Sequence, residues 1–447
     1  MKISPARTAA FDVLMKIETE KAFSSHLLAA YEEKLSLKDR ALCHELVLGV
    51  LRRQIYLDRI IDNLAGGKRL DTAVRVAMRL GLYQIYFLDR VPHHSAINES
   101  VNLVQRAKKT SAKALVNAIL RRATREEINL AFENEVERLS VETSHPVWLL
   151  EKWVAEFGWD ETTRLVEANN RVPGVAFRLT GKVERRERGE DIKESEYVAG
   201  CYIAGRIDEQ LRVAAESGEI YFQDEASQMV AAAVRLETGE RFLDVCASPG
   251  SKTTLIAIEA ETRRRGESEK AGRREEEKGR GGDTEIFAGD FNWNRVAFLK
   301  ENCVRQGVGF VNIVQYEAER ALPFVDGAFD VVLVDAPCSG TGTIRHNPEI
   351  RYFLKPEDFA ELQNKQLRIL KNASNLVNRG GTLIYSTCSL EKEENESVCE
   401  AFLLENSEFR LTTPHVPERF LTEQGVARTF PQRDGMDGFF IAEFQKE

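Results

Sequence analysis

Apolar side chains in the first 130 residues recur every three or four positions, the period of a helix with one buried face. Ala9, Val13, Leu14 and Ile17 form one such stripe, and Leu42, Leu46, Val50 and Leu51 another. Ser36-Leu37-Lys38-Asp39 precedes the second stripe with a hydroxyl followed three residues later by an acid, a capping-box pattern. Arg52 and Arg53 then fall in its last turn, where cations suit the helix dipole. Further helical periods cover 74–87, 97–107 and 112–119, with Gly66-Gly67 and Val91-Pro92 as breaks. An all-helical domain of five or six helices is expected over residues 1–135.

The period then weakens. Ser144-His145-Pro146-Val147-Trp148 opens a helix with proline at a tolerated early position, and 161–169 is another. Val175–Leu179 reads as a strand and 180–218 is mixed, so 136–225 is expected to be a small α/β subdomain. From Gly239 the pattern changes again. Short apolar runs at 242–246, 285–288, 311–314, 331–334 and 382–385 alternate with helical stretches, which predicts a doubly wound parallel sheet over 226–447. Residues 261–285 interrupt it with eight charges of each sign and almost nothing apolar. Such a segment cannot bury a core and is expected to be a surface insertion.

A chain of 447 residues requires two or three domains. No apolar run reaches the ~18–20 residues needed to cross a membrane, and Met1-Lys2-Ile3-Ser4-Pro5 lacks the apolar core of a signal peptide. Seven scattered cysteines do not form a disulfide framework. A reducing cytoplasm is the expected setting, where free thiols can be reactive. The net charge of −9 hides an asymmetry: residues 1–127 carry 22 Lys and Arg against 14 Asp and Glu, leaving a net of −17 on the remainder. A basic module on an acidic chain fits polyanion binding. Arg106, Lys108, Lys109, Lys113, Arg121, Arg122 and Arg125 gather near its end.

Two cysteines stand just past two apolar runs: Cys338 in Asp335-Ala336-Pro337-Cys338-Ser339-Gly340, and Cys388 in Tyr385-Ser386-Thr387-Cys388-Ser389. Residues at the carboxyl ends of strands line the ligand crevice of an open α/β sheet. If the two strands are neighbours, both thiols reach one crevice. Cys43, Cys201, Cys303 and Cys399 are read as inert core thiols. Phe242 to Thr254 reads as strand, tight loop and helix, and the loop Cys246-Ala247-Ser248-Pro249-Gly250-Ser251-Lys252 offers backbone N–H groups to a ligand. It has neither Walker A nor GxGxxG spacing. Asp290 ends the next run, where an acid holds a ribose, and Glu317 follows the third. A loop with two acids suits a nucleoside without phosphates, such as S-adenosylmethionine. A thiolate beside a methyl sulfonium suggests nucleophilic catalysis on cytosine: addition at C6 makes C5 nucleophilic.

These motifs resemble those of the Nop/Sun family of RNA 5-methylcytosine methyltransferases. Thr341 to Arg351 and Asp437-Gly438-Phe439-Phe440 extend the match. Residues 4–130 are similar to a NusB-type RNA-binding domain, and Ser144–Pro173 with Gln223–Gln228 resemble the short RRM-like region between. The resemblance implies a Rossmann-like S-adenosylmethionine-dependent methyltransferase domain. It implies Cys388 as the nucleophile and Cys338 in product release. It implies cofactor contacts from Cys246, Ala247, Ser248, Pro249, Gly250, Ser251, Lys252, Asp290, Glu317 and Asp335, with Lys252 and Asp335 also near the target base. Ser251 stands where a second glycine is usual, and Glu317 where aspartate is usual. The domain order favours 16S rRNA, although a tRNA or 23S rRNA would use the same catalytic residues. A monomer without metal is expected. The alternative is an RNA-binding protein whose methyltransferase domain has decayed, against which stands the retention of both cysteines, the loop lysine and the acids.

Overall fold

Local chemistry starts and stops the helices the pattern places, and two more, Ser24–Glu32 and Gln54–Ala65, bring the count above the five or six expected. The computed structural model describes residues 3–183, 191–271 and 284–447. Ser36 caps helix Leu37–Arg52 by accepting from the Asp39 amide at 3.3 Å, and Asp71 caps Thr72–Phe87 through Ala73. Gly66 closes helix Gln54–Ala65 at φ 63°, a left-handed end that glycine adopts without strain. With Pro5–Glu20, Ser24–Glu32, His93–Arg106 and Lys113–Ala123, seven helices precede residue 124. Leu46, Val47, Val50, Leu57, Ile61, Leu80 and Leu82 are buried among them.

This first unit does not end at residue 135. It comprises Met1–Arg171 together with Ile344–Pro356, so helices Glu135–Thr143, Val147–Phe157 and Trp159–Asn169 belong to it. A buried polar anchor is part of the reason. Arg351 is fully buried, and its Nη1 donates to the Thr143 carbonyl (3.2 Å), the Ser144 carbonyl (3.3 Å) and Asn170 Oδ1 (3.0 Å). Tyr352 Oη donates to the Leu51 carbonyl at 2.6 Å, and Arg52 donates to the Arg345 carbonyl at 3.1 Å. A boundary at 135/136 follows from local periodicity alone. The contacts that recruit 136–171 come from both directions: Arg53 donates to the Glu142 carbonyl (2.9 Å) and Ser144 Oγ accepts from the Tyr56 amide (3.1 Å), while Arg351 reaches back 181 to 208 positions. The basic residues near the end of the helical module are largely engaged: Arg106 pairs with Asp12, Lys109 with Asp71 and Arg122 with Glu126. Lys113 and Arg121 donate to Gln105 and Asn117.

The second unit comprises Val172–Thr343 and Glu357–Glu447. It opens with a four-stranded antiparallel sheet of β1 (Val175–Leu179), β2 (Ile192–Glu194), β3 (Cys201–Ala204) and β4 (Ile220–Phe222), in the order β2-β3-β1-β4. The large sheet follows. Its strands are β5 (Arg241–Asp244), β6 (Glu285–Asp290), β7 (Asn312–Gln315), β8 (Phe329–Asp335), β9 (Val377–Thr387), β10 (Phe409–Thr412), β11 (Ala427–Arg428) and β12 (Phe440–Lys446). The order is β10-β12-β9-β8-β5-β6-β7, with β11 beside β12. β5 to β9 run parallel, and the order reverses between β5 and β8, the point where doubly wound sheets open their crevice. β8 and β9 are neighbours in register, Asp335 opposite Ser386.

The charged stretch expected at 261–285 is helical where it is described. Helix Ser251–Ala271 runs through its first 11 residues, and the next strand begins at Glu285. Glu261 pairs with Arg264 and Arg265 at helical spacing, which adds modest support to the helix there. Residues 272–283 lie outside the described residues. No helix among those described is long and apolar enough to cross a membrane.

Candidate functional site

The carboxyl ends of β5 to β9 carry the site residues. At the first, Asp244 ends β5 and the chain turns through Cys246–Gly250 into helix Ser251–Ala271. The Ala247 amide donates to the Gly289 carbonyl (2.9 Å) and the Ser248 amide to Asp290 Oδ2 (3.2 Å), so the turn is pinned to the end of β6. Gly250 has φ 96°, and a Cβ there would lie 2.6 Å from Leu299 Cδ1, so any other residue is strained at this position. Ser251, which stands where a second glycine is usual, begins the helix and needs no left-handed backbone. Asn302 secures the turn from below through the Pro249 carbonyl (2.8 Å).

Asp290 is buried at the end of β6, where it accepts from the Phe291 amide (2.8 Å) and pairs with Arg295 (2.9 Å). Phe291 and Trp293 stand exposed just beyond it. Glu317 is exposed after β7 and pairs with Arg320 at 2.7 Å. Lys252 is buried and its Nζ lies 2.6 Å from Asp335 Oδ2, which ties the loop after β5 to the end of β8. Burial works against the Lys252 ammonium, but the Asp335 carboxylate outweighs it and raises the pKa. Asp335 also accepts from Ser386 Oγ at 2.8 Å, which links β8 to β9. The crevice is thus lined by acids, and its lysine is already neutralised by one of them. That donor set suits a cationic amino-acid nucleoside and does not suit a polyphosphate.

Cys338 and Cys388 converge, their sulfur atoms 3.3 Å apart. Both are partly exposed, as is Cys246, whereas Cys43, Cys201, Cys303 and Cys399 are buried. The hydrogen bond to Cys388 and burial push the Cys338 thiol well above its usual range, and the charges of Glu394 and Asp335 add to this. Lys252 is the cation whose field reaches Cys388. Behind the thiols, the Gly342 amide donates to the Cys388 carbonyl (2.9 Å) and the Gly438 amide to the Gly342 carbonyl (2.9 Å). A Cβ on Gly342 would sit 1.9 Å from the Gly438 carbonyl oxygen, so Thr341-Gly342 and Asp437-Gly438 approach as bare backbone.

Sequence reasoning missed three contributors. Asp244 is buried under the loop with Thr253 Oγ1 donating to it at 2.6 Å; burial raises its pKa to about 7. Gln366 and Glu394 bind the loops that carry the thiols. Asp244 was legible as the acid that ends the first strand. Gln366 and Glu394 carried no signal, being ordinary polar residues in amphipathic stretches.

Known proteins resemble this chain along its whole length. The family described as 16S rRNA methyltransferase RsmB/F matches residues 280–445, and the NusB family matches 4–125. The probable ribosomal RNA small subunit methyltransferase B of Bacillus subtilis (strain 168) is 32% identical over 100% of both chains. The ribosomal RNA small subunit methyltransferase B of Pseudomonas syringae pv. tomato is 30% identical, over 98% of this chain and 96% of that one. The crystal structure of PH0851 superposes over 100% of both chains with a TM-score of 0.81 and 25% identity. A basic helical module, a Rossmann-like crevice lined with acids and full-length similarity together place this chain in the ribosomal RNA small subunit methyltransferase B family.

Proposed function

We propose that the chain transfers a methyl group to carbon-5 of a cytosine in 16S rRNA, with Cys388 as the covalent nucleophile. S-adenosylmethionine is the methyl donor of the family; bound in the crevice, it supplies an electrophilic methyl on a sulfonium. Its adenosyl and amino-acid parts are assigned to the turn 246–252 and to Asp290, with Asp335 near the methyl. Glu317 completes the set at the third strand, where it can reach an adenine amino group only by leaving Arg320.

The chemistry follows from the cytosine ring, whose C5 is a poor nucleophile. The Cys388 thiolate adds to C6, and the electrons of the 5,6 double bond pass to C5, which takes the methyl. The C5 proton must then leave, the C6–S bond breaks with return of the electron pair to sulfur, and the double bond re-forms. Lys252 supplies the positive charge of the site, and its pairing with Asp335 offsets part of it. Cys338 lies beside Cys388 and can receive the C5 proton after giving up its own thiol proton to solvent, so that one proton leaves for each methyl transferred. Asp335 also presents a carboxylate to the amino edge of the base.

One observation supports the reading above the rest: two free thiols 3.3 Å apart at the ends of adjacent parallel strands. Inert core cysteines have no reason to share a crevice with a lysine and three acids. The test is methylation of 16S rRNA by the purified protein, with nucleosides analysed by mass spectrometry. 5-Methylcytosine is expected with wild type, and Cys388→Ala is expected to lose at least ~10³-fold in rate. Methylation that survives in Cys388→Ala, or appears on another base atom, contradicts the assignment.

A further inference from the structure

We propose that Glu394 is a positioning residue that sets the distance between the two thiols by holding, with one buried carboxylate, the residue that follows each cysteine. The proposal rests on the reading of Cys388 as nucleophile and Cys338 as its partner in release.

Glu394 lies in the short turn Lys392–Glu394 after β9 and is 0% exposed. Its Oε1 accepts from the Ser339 amide (2.8 Å) and from Gln366 Nε2 (2.9 Å). Its Oε2 accepts from the hydroxyls of both Ser339 and Ser389, which touch each other at 3.1 Å. Ser339 follows Cys338 and Ser389 follows Cys388, so a single carboxylate grips both loops at the residue next to the sulfur. The grip extends to the other flanks. Gln366 also donates to the Pro337 carbonyl (3.0 Å), Tyr385 Oη donates to the Glu394 carbonyl (2.6 Å), and Asn395 Nδ2 donates to the Ser389 carbonyl (2.9 Å).

A buried carboxylate without a cation is costly to keep, and hydrogen bonds must offset its lost hydration. Among the described residues no cation pairs with Glu394; four donors compensate instead. An ordinary loop anchor could be a neutral amide. A glutamine could keep all four bonds, its oxygen accepting from the Ser339 amide and Gln366 while its NH₂ donates to the two hydroxyls. What glutamine would not keep is the charge, and that charge faces Cys338. The other ionisable groups around Cys338 are Cys388, Asp335 and Tyr385, with Lys252 paired to Asp335. Shape and charge are therefore separable in one position.

The experiment compares Glu394→Ala and Glu394→Gln with wild type and Cys388→Ala at saturating RNA and S-adenosylmethionine. It reads kcat, its pH profile, and cofactor Kd by calorimetry. Glu394→Ala is expected to lose ~100-fold in kcat, the scale of an ångström's misplacement of reacting groups, with cofactor Kd within about twofold because the cofactor loop is untouched. Glu394→Gln is expected to recover to within ~10-fold of wild type, since it restores the spacing. The limb of its profile that reports Cys338 moves to lower pH, because a negative neighbour has gone. Should Glu394→Ala fail to fold, the glutamine profile decides alone. Wild-type kcat in Glu394→Ala overturns the proposal, as does a glutamine variant with an unmoved profile. A dead Cys388→Ala beside unaffected Glu394 variants removes only the positioning role. Methylation by Cys388→Ala removes the covalent reading itself.

Discussion

The two halves of the crevice are built differently. On the β5–β6 side, the site is mostly backbone: a tight turn, a glycine at positive φ, and amides pinned to the next strand and to Asp290. On the β8–β9 side, it is a buried polar network in which Asp335, Ser386, Gln366 and Glu394 hold two sulfur atoms at 3.3 Å. The contrast matches the tasks. A cofactor needs a surface of fixed shape, which backbone supplies with few contacts. Covalent chemistry needs two groups at one spacing, which requires ties from several elements to the same point. The thiol half is consequently the more sensitive to single side-chain changes, and the cofactor half to changes at glycine.

Substitutions should separate the halves. The largest effect is the loss with Cys388→Ala, which should leave cofactor Kd near wild type because the turn 246–252 is untouched; a large loss of cofactor binding would break the comparison. Next comes Gly250→Ala. Its Cβ would meet Leu299 Cδ1 at 2.6 Å on a backbone at φ 96°. Strain of about 1–3 kcal/mol should lower stability by that order in denaturant titration and weaken cofactor binding ~10-fold by calorimetry, with both thiols still titratable. Unchanged binding would show that the turn's shape is not what holds the cofactor.

The smallest effect is in pH dependence. Asp244 has its pKa raised by burial to about 7, with Asp335 adding while Thr253 and Lys252 oppose. The folded value exceeds the unfolded one, so the native state binds the extra proton between about 4 and about 7. The stability this group contributes is present below about 4 and lost as pH rises through about 7. Asp244→Asn should remove that dependence: relative to wild type, the variant gains stability between pH 5 and pH 7.5 in urea unfolding. An equal offset at both pH values would show that Asp244 is ionised throughout.

Much of this architecture was legible because its signals are local. The strand-loop-helix at 242–254, the acid at Asp290 and the two Cys motifs each lie within one short stretch of chain, and the structure brings them to one edge of the sheet. The period of 3.6 located the first helices, and caps such as Ser36 marked their starts. Non-local determinants stayed hidden. The recruitment of 136–171 into the helical unit rests on contacts from Arg53, Tyr56 and Arg351, and the register of β9 with β12 brings Phe440 opposite Thr387. β12 itself escaped because most of its positions are buried, so it lacks the alternation of a strand with one wet face. Glu394, 55 residues from the backbone amide it receives, could be assigned only once the fold had placed it.

The most direct measurement is the fate of RNA mixed with Cys338→Ala and S-adenosylmethionine, followed by denaturation and mass mapping of any protein–RNA adduct. With release blocked, the account predicts a denaturation-resistant adduct whose cytosine is bonded to Cys388. Absence of an adduct from an otherwise folded, cofactor-binding variant, or a bond to any other residue, would contradict it.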